Sequence, residues 1–325
     1  MKPQTREPLV GLVEWFSPGE FERVETVLAG LRAVGVTELR TVVSWADWYT
    51  SEGDGWYAWL LPRLAKEVNI LPCFLNTPPS LGIVPKYSSP PQTPKAYADF
   101  IDVMITRFGS LFEWLELWNR PDDPNEWDSR LDPQWRNFSE MIGGAAYWAR
   151  TRGKKTVLPG LWPADAKWLD LMHQRGVLAY IDAVGMQGFP GSQEFPWQGW
   201  KPEVARMRER LARLKVKAEV WITSTGSSTW RDDERGQVRA FVDAVDAPVE
   251  RVYWREVQDR RRSGTDSFHS DERTYHYGLT RADGTPKLLY SLWSKGTVDS
   301  VRAWAETPAR PVAAGRSQKH ALITG

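Results

Sequence analysis

The side chains with the most chemical potential lie at the ends of short apolar runs. Four carboxylates stand there: Glu14, Asp47, Glu116 and Glu256. A pair of such groups could move a proton or attack an electrophile. Arginines gather late in the chain, at Arg251, Arg255, Arg260, Arg261 and Arg262. Guanidinium groups suit carboxylate or phosphate partners, though a solvated charged face is the plainer reading of such a run. The chain also holds 19 tryptophans among 325 residues. Trp45, Trp48, Trp118, Trp162, Trp197, Trp200 and Trp230 fall beside loop-forming residues at segment ends. Flat indole faces at such places suit stacking on sugar rings, and ordinary packing is the equal alternative. The four histidines and Cys73 show no metal-ligand spacing, so neither a metal nor another cofactor is expected.

What must position these groups is a series of strands. Runs rich in β-branched and aromatic residues begin near Pro8, Glu38, Asn69, Phe112, Thr156, Ile181, Lys217 and Glu250. Eight runs spaced at intervals of about 35 residues leave room for one strand, one helix and two loops each. Helix starts are written between them: Ser17-Pro18-Gly19-Glu20, Thr93-Pro94, Asp132-Pro133 and Lys201-Pro202-Glu203. Apolar residues then follow at helical spacing, as in Phe21, Val24, Val27, Leu28 and Leu31. The expected fold is α/β, a single (β/α)8 barrel over residues 1–306. Residues 307–325 are polar and are expected to form a disordered tail. In such barrels the active site forms at the C-terminal ends of the strands.

Several strand ends carry motifs. Strand four ends Leu115-Glu116-Leu117-Trp118-Asn119-Arg120-Pro121, and strand seven ends Trp221-Ile222-Thr223-Ser224-Thr225-Gly226. Strand six ends Gln187-Gly188-Phe189-Pro190, and strand eight carries Val252-Tyr253-Trp254. His276-Tyr277-Gly278-Leu279 and Asp283-Gly284-Thr285-Pro286-Lys287 follow. Together these resemble the clan of (β/α)8 retaining glycosidases, most closely the β-xylosidase-like, family 39-like members, over about residues 8–305. The resemblance implies a Glu acid/base at position 120 and a Glu nucleophile at position 224. Here Arg120 and Ser224 stand instead. Arginine cannot donate a proton near neutral pH, and a serine without a base is a weak nucleophile. At strand six the family's His and Tyr are Gln187 and Phe189. The same resemblance implies sugar recognition by Asn119, an aromatic floor at Trp254 and a supporting Arg40. Trp45 and Trp118 join the candidate binding set as strand-end tryptophans.

The expected function is therefore a glycosidase-like saccharide-recognising protein without ordinary retaining catalysis. An acidic sugar or sugar phosphate is the sharper form of the ligand. One rival is an active sugar-processing enzyme using Glu14, Glu116 or Glu256. Another is a scaffold subunit, for which a protein partner stays open. Arg120 could equally form an inert bridge to Glu116, Asp122 or Glu256. A net charge of +1 argues against nucleic acid as partner, and no apolar stretch suggests a membrane span. One cysteine and no leader-like N-terminus lead to the expectation of a cytoplasmic protein.

Overall fold

A computed structural model describes residues 7–191, 197–262 and 271–307. The tail expected beyond Thr307 lies outside the described residues. Eight parallel strands close into a barrel in chain order. They are β1 (Leu9–Val13), β2 (Glu38–Ser44), β3 (Asn69–Leu75), β4 (Trp114–Leu117), β5 (Lys155–Leu158), β6 (Ala183–Gly188), β7 (Glu219–Thr225) and β8 (Arg251–Arg255). The helices are α1 (Phe21–Val34), α2 (Trp45–Trp48), α3 (Gly53–Ala65), α4 (Lys95–Phe108), α5 (Arg136–Thr151), α6 (Ala166–Gln174), α7 (Trp200–Arg213), α8 (Glu234–Val245), α9 (Leu288–Trp293) and α10 (Val298–Glu306). The single (β/α)8 barrel expected from the run spacing is the fold observed. Among the described residues, no helix is long and apolar enough to cross a membrane.

The helix signals act close to where the sequence places them. Helix α1 starts at Phe21 rather than Pro18, because Gly19 takes φ +90°, outside the helical region. Ser17 N–H still donates to Glu20 Oε2 at 2.7 Å, which fixes the turn into the helix. Asp132 caps α5 from a distance, accepting from Phe138 N–H at 2.9 Å, since Trp135 at φ 58° delays the first helical turn. Asp165 and Asp233 cap α6 and α8 through Lys167 N–H and Gly236 N–H.

The barrel interior is filled by side chains from alternate positions of its strands. Val13, Leu71, Trp114, Val157, Ala183, Trp221 and Tyr253 form this plug, separate from the larger core between strands and helices. The Trp114 and Trp221 rings lie 4.4 Å apart. Gly11 makes room for Tyr253, because a Cβ there would come within 2.7 Å of the tyrosine ring. Above the plug, Val13 pairs with Arg40 on one side and Arg255 on the other, so the two arginines stand at one level of the mouth.

Truncating the plug should therefore cost about 3–5 kcal/mol, the usual range for a buried Trp→Ala. Trp221→Ala, compared with the parent in guanidinium unfolding, is the measurement. A loss below about 1 kcal/mol would mean that the interior is not packed around this ring.

Candidate functional site

A cavity of about 250 Å³ opens at the C-terminal end of the barrel. Of the candidate residues named from the sequence, Arg40, Asn119, Arg120, Gln187, Phe189, Ser224 and Glu256 line it. Val13, Trp15, Asp123, Glu126, Arg255 and Arg260 complete the wall. Three tryptophans expected there are elsewhere. Trp254 is fully buried, with its ring 5.3 Å from Phe241 of α8. The residues flanking it on β8 explain this: Tyr253 and Arg255 point inward, so Trp254 points to the helices. Trp45 is stacked on Phe100 at 5.7 Å. Trp118 is packed between Tyr97 and Trp127. Its φ of 86° breaks the alternation of β4, turning the indole away from the mouth and Asn119 into it.

Ser224 reaches the cavity through a second irregularity. Met186 pairs with Ile222 but Gln187 pairs with Ser224, so Thr223 is an extra residue in β7. Such a bulge re-aims the side chains that follow it.

Beneath the cavity, Arg40 Nε donates to Glu116 Oε2 at 2.5 Å, and both side chains are buried. Burial pulls the guanidinium down, but Glu116, with smaller help from Cys73 and Glu126, holds Arg40 above its ordinary value. Arg40 Nη2 and Gln187 Nε2 each donate to Asn119 Oδ1 at 2.8 Å. Because arginine can only donate, the oxygen of Asn119 must face it. Asn119 Nδ2 then donates to Glu126 Oε1 at 3.0 Å, with one N–H to spare. Asn119 thus offers the cavity a donor, and Gln187 Oε1 offers an acceptor.

The fallback carboxylates separate clearly. Glu116 is spent on Arg40. Glu14 is buried behind the wall, accepting from Val257 N–H at 2.6 Å and from Arg23 Nη2 at 2.7 Å. Only Glu256 faces the cavity, tied to Arg255 at 3.3 Å and Arg260 at 3.0 Å. Arg120 pairs with Asp122 at 2.8 Å, one of the three partners considered. Arg255 and Arg260 line the cavity, whereas Arg262 pairs with Glu272 outside it.

Burial raises Glu116 against the opposing pull of Arg40, and two further carboxyls here hold their protons unusually well. Burial pushes Glu126 to about 7, Asn119 opposes, Asp123 adds to the rise, and Arg40 and Arg120 oppose it. Burial also pushes Glu14 to about 7, helped by Glu256 and opposed by Arg23, the Val257 N–H and Arg260. Trp15 could have been found by continuing the β1 alternation from Val13. Glu126 carries no sequence signal, since it is a loop residue brought in by the turn after Asn119. Among the described residues, no group of three or more His, Cys, Asp or Glu could hold a metal ion.

No family model and no curated protein sequence matches the chain. Solved structures do. A family 39 glycoside hydrolase from the gut symbiont Bacteroides cellulosilyticus WH2 matches at 16% identity and TM-score 0.65, over 90% of this chain and 64% of that one. At this identity the likeness is one of fold, the closed eight-stranded (β/α)8 barrel. A GH2 β-galacturonidase from Eisenbergiella tayi, bound to galacturonate, matches at 16% identity and TM-score 0.60, over 92% and 52%. A monomeric β-xylosidase from Caulobacter crescentus CB15 matches at 14% identity and TM-score 0.63, over 89% and 69%. The barrel spans less than two thirds of the first two structures.

The two raised carboxyls set a pH dependence. Each has a folded value near 7 against an ordinary 4.5, so the folded state favours the proton. That stabilisation is complete below about pH 4.5 and is lost as pH rises through 7. The melting temperature should fall between pH 5 and pH 8. Glu126→Gln, which keeps an acceptor for Asn119, should flatten part of that fall. A variant profile superimposable on the parent would show that Glu126 is not the group responsible.

Proposed function

We propose that this protein binds a saccharide in the barrel mouth and does not carry out retaining glycoside hydrolysis. One observation carries the reading. The positions where the glycosidase resemblance requires two carboxyl groups hold Arg120 and Ser224, and both line a cavity that also presents Asn119 and Gln187. Retaining hydrolysis needs a carboxyl pair about 5–5.5 Å apart. Arg120 is fixed to Asp122, and a guanidinium group serves as neither acid nor base near neutral pH. No histidine is among the described residues lining the cavity, and among the described residues no side-chain base is hydrogen-bonded to Ser224. The volume is below the roughly 300–1,000 Å³ of drug-sized pockets, which suits a single ring in this chamber.

The ligand in this reading carries an acidic group, as a uronate or a sugar phosphate does. Arg255 and Arg260 share the one carboxylate of Glu256, which leaves positive charge over at that wall. The Arg255 guanidinium also lies 5.8 Å from the Phe189 ring and 5.6 Å from the Tyr277 ring. Burial lowers its hold on the proton, so an incoming anion would restore charge balance. The galacturonate held by the Eisenbergiella tayi enzyme is an acidic sugar of this class. The reading places the protein in the cytoplasm, where the single thiol of Cys73 stays reduced.

A second reading is favoured by the position of Glu256 on the cavity wall: a sugar-processing enzyme with relocated carboxylates. Calorimetric titration and aryl-glycoside turnover separate the two. The first reading expects galacturonate or glucuronate to bind at least about tenfold more tightly than galactose or glucose, without turnover. Arg255→Gln should abolish that preference. Equal affinity for acidic and neutral sugars overturns the acidic ligand. Steady turnover that disappears in Glu256→Gln establishes the second reading instead.

A further inference from the structure

Beside the mouth lies a second hollow, and of its walls the sequence singled out Trp162 and Asp122. It measures about 550 Å³ and is walled by Trp135, Trp162, Trp168, Asp122, Ala164 and Lys167, among others. The residues come from the loop after β4, the segment after β5 and the start of α6. Two features distinguish it from a casual surface dent. The first is its nearness to the mouth. Arg120 lines the mouth, Asp122 lines the groove, and their 2.8 Å ion pair stands between the two spaces.

The second feature is unspent hydrogen-bonding capacity. The indole nitrogens of Trp162 and Trp168 are buried without a partner, in residues only 9% and 6% exposed. Oδ1 of Asp122 and Nε of Arg120 are likewise buried without a partner. Buried donors and acceptors in this state cost free energy until something satisfies them. Three indoles, two of them with unpartnered N–H groups just beneath the surface, the Asp122 side chain and an exposed Lys167 form a mixed lining. Its apolar faces match the C–H face of a pyranose, and its polar atoms match the hydroxyl edge.

We propose that the ligand is an oligosaccharide, with one ring in the barrel mouth and the next in the tryptophan groove across the Arg120–Asp122 pair. This rests on the saccharide reading of the mouth and adds to it the length of the ligand. The groove has about twice the volume of the mouth, enough for the neighbouring ring with its substituents. Asp122 lines the groove while its Oδ2 holds Arg120, so its carboxylate stands at the junction of the two spaces. Trp135, which is partly exposed, supplies the stacking face.

The test compares single sugars with their dimers by calorimetry: galacturonate with digalacturonate, xylose with xylobiose, mannose with mannobiose. At least one dimer should bind tenfold or more tightly than its monomer. Trp135→Ala should remove that advantage and leave monomer affinity within twofold. Because Trp135 also packs on Phe138 and Trp168, Ala164→Arg provides a second variant that fills the groove without deleting a packed ring. It should give the same selective loss. Equal affinity of monomer and dimer, or a parallel loss of both in Ala164→Arg, overturns the groove while leaving the mouth intact. A chain that binds no monomer and no dimer overturns the saccharide reading itself, and the groove falls with it.

Discussion

The buried ion pair between Arg40 and Glu116 decides most of what the barrel mouth can do. Two charges removed from water are costly unless each is matched, and leaving either one alone typically costs about 3–5 kcal/mol. Glu116 is therefore held by Arg40 through Oε2, on the strand that leads to the mouth. The pairing also settles the chemistry one layer up. A guanidinium has no acceptor, so it turns the oxygen of Asn119 downward and the amide nitrogen toward Glu126 and the cavity. Gln187 follows, donating into the same oxygen and keeping its own carbonyl for a ligand. The polarity of the floor is thus fixed from below.

The order of elements was legible because each strand is a compact apolar run and each crossover takes a similar length of chain. Eight such runs at even spacing leave few alternatives to a closed parallel barrel. The facing of individual side chains was legible only where the two-residue alternation holds. It fails at Trp118, where a left-handed residue swaps the roles of Trp118 and Asn119, and at Thr223, where a bulge brings Ser224 to the mouth. Trp254 illustrates the opposite error. The alternation does hold on β8, but it places Arg255 at the mouth and sends the indole to the helices. The family resemblance suggested a sugar platform there; the parity of the strand makes it core. Glu126 and Asp123 were illegible for a different reason, since no periodicity governs a loop that folds back over its own strand end.

The remaining argument concerns charge. Where retaining glycosidases are expected to hold two negative groups, this mouth holds a guanidinium and a hydroxyl, yet it is not broadly cationic. Arg40 is neutralised by Glu116 and Arg120 by Asp122. On the β4 side, Asp123 and the readily protonated Glu126 make the wall neutral to negative. On the β8 side, two guanidiniums share one carboxylate. At short range inside a cavity such a difference across the opening is worth more than the same charges spread in water. For the proposed acidic ligand it fixes a direction: the anionic group toward Arg255 and Arg260, the hydroxyl-rich edge toward Asn119 and Glu126. That orientation leaves the opposite end of the ring facing the Arg120–Asp122 partition. The charge pattern of the mouth and the position of the tryptophan groove therefore point the bound chain along the same line.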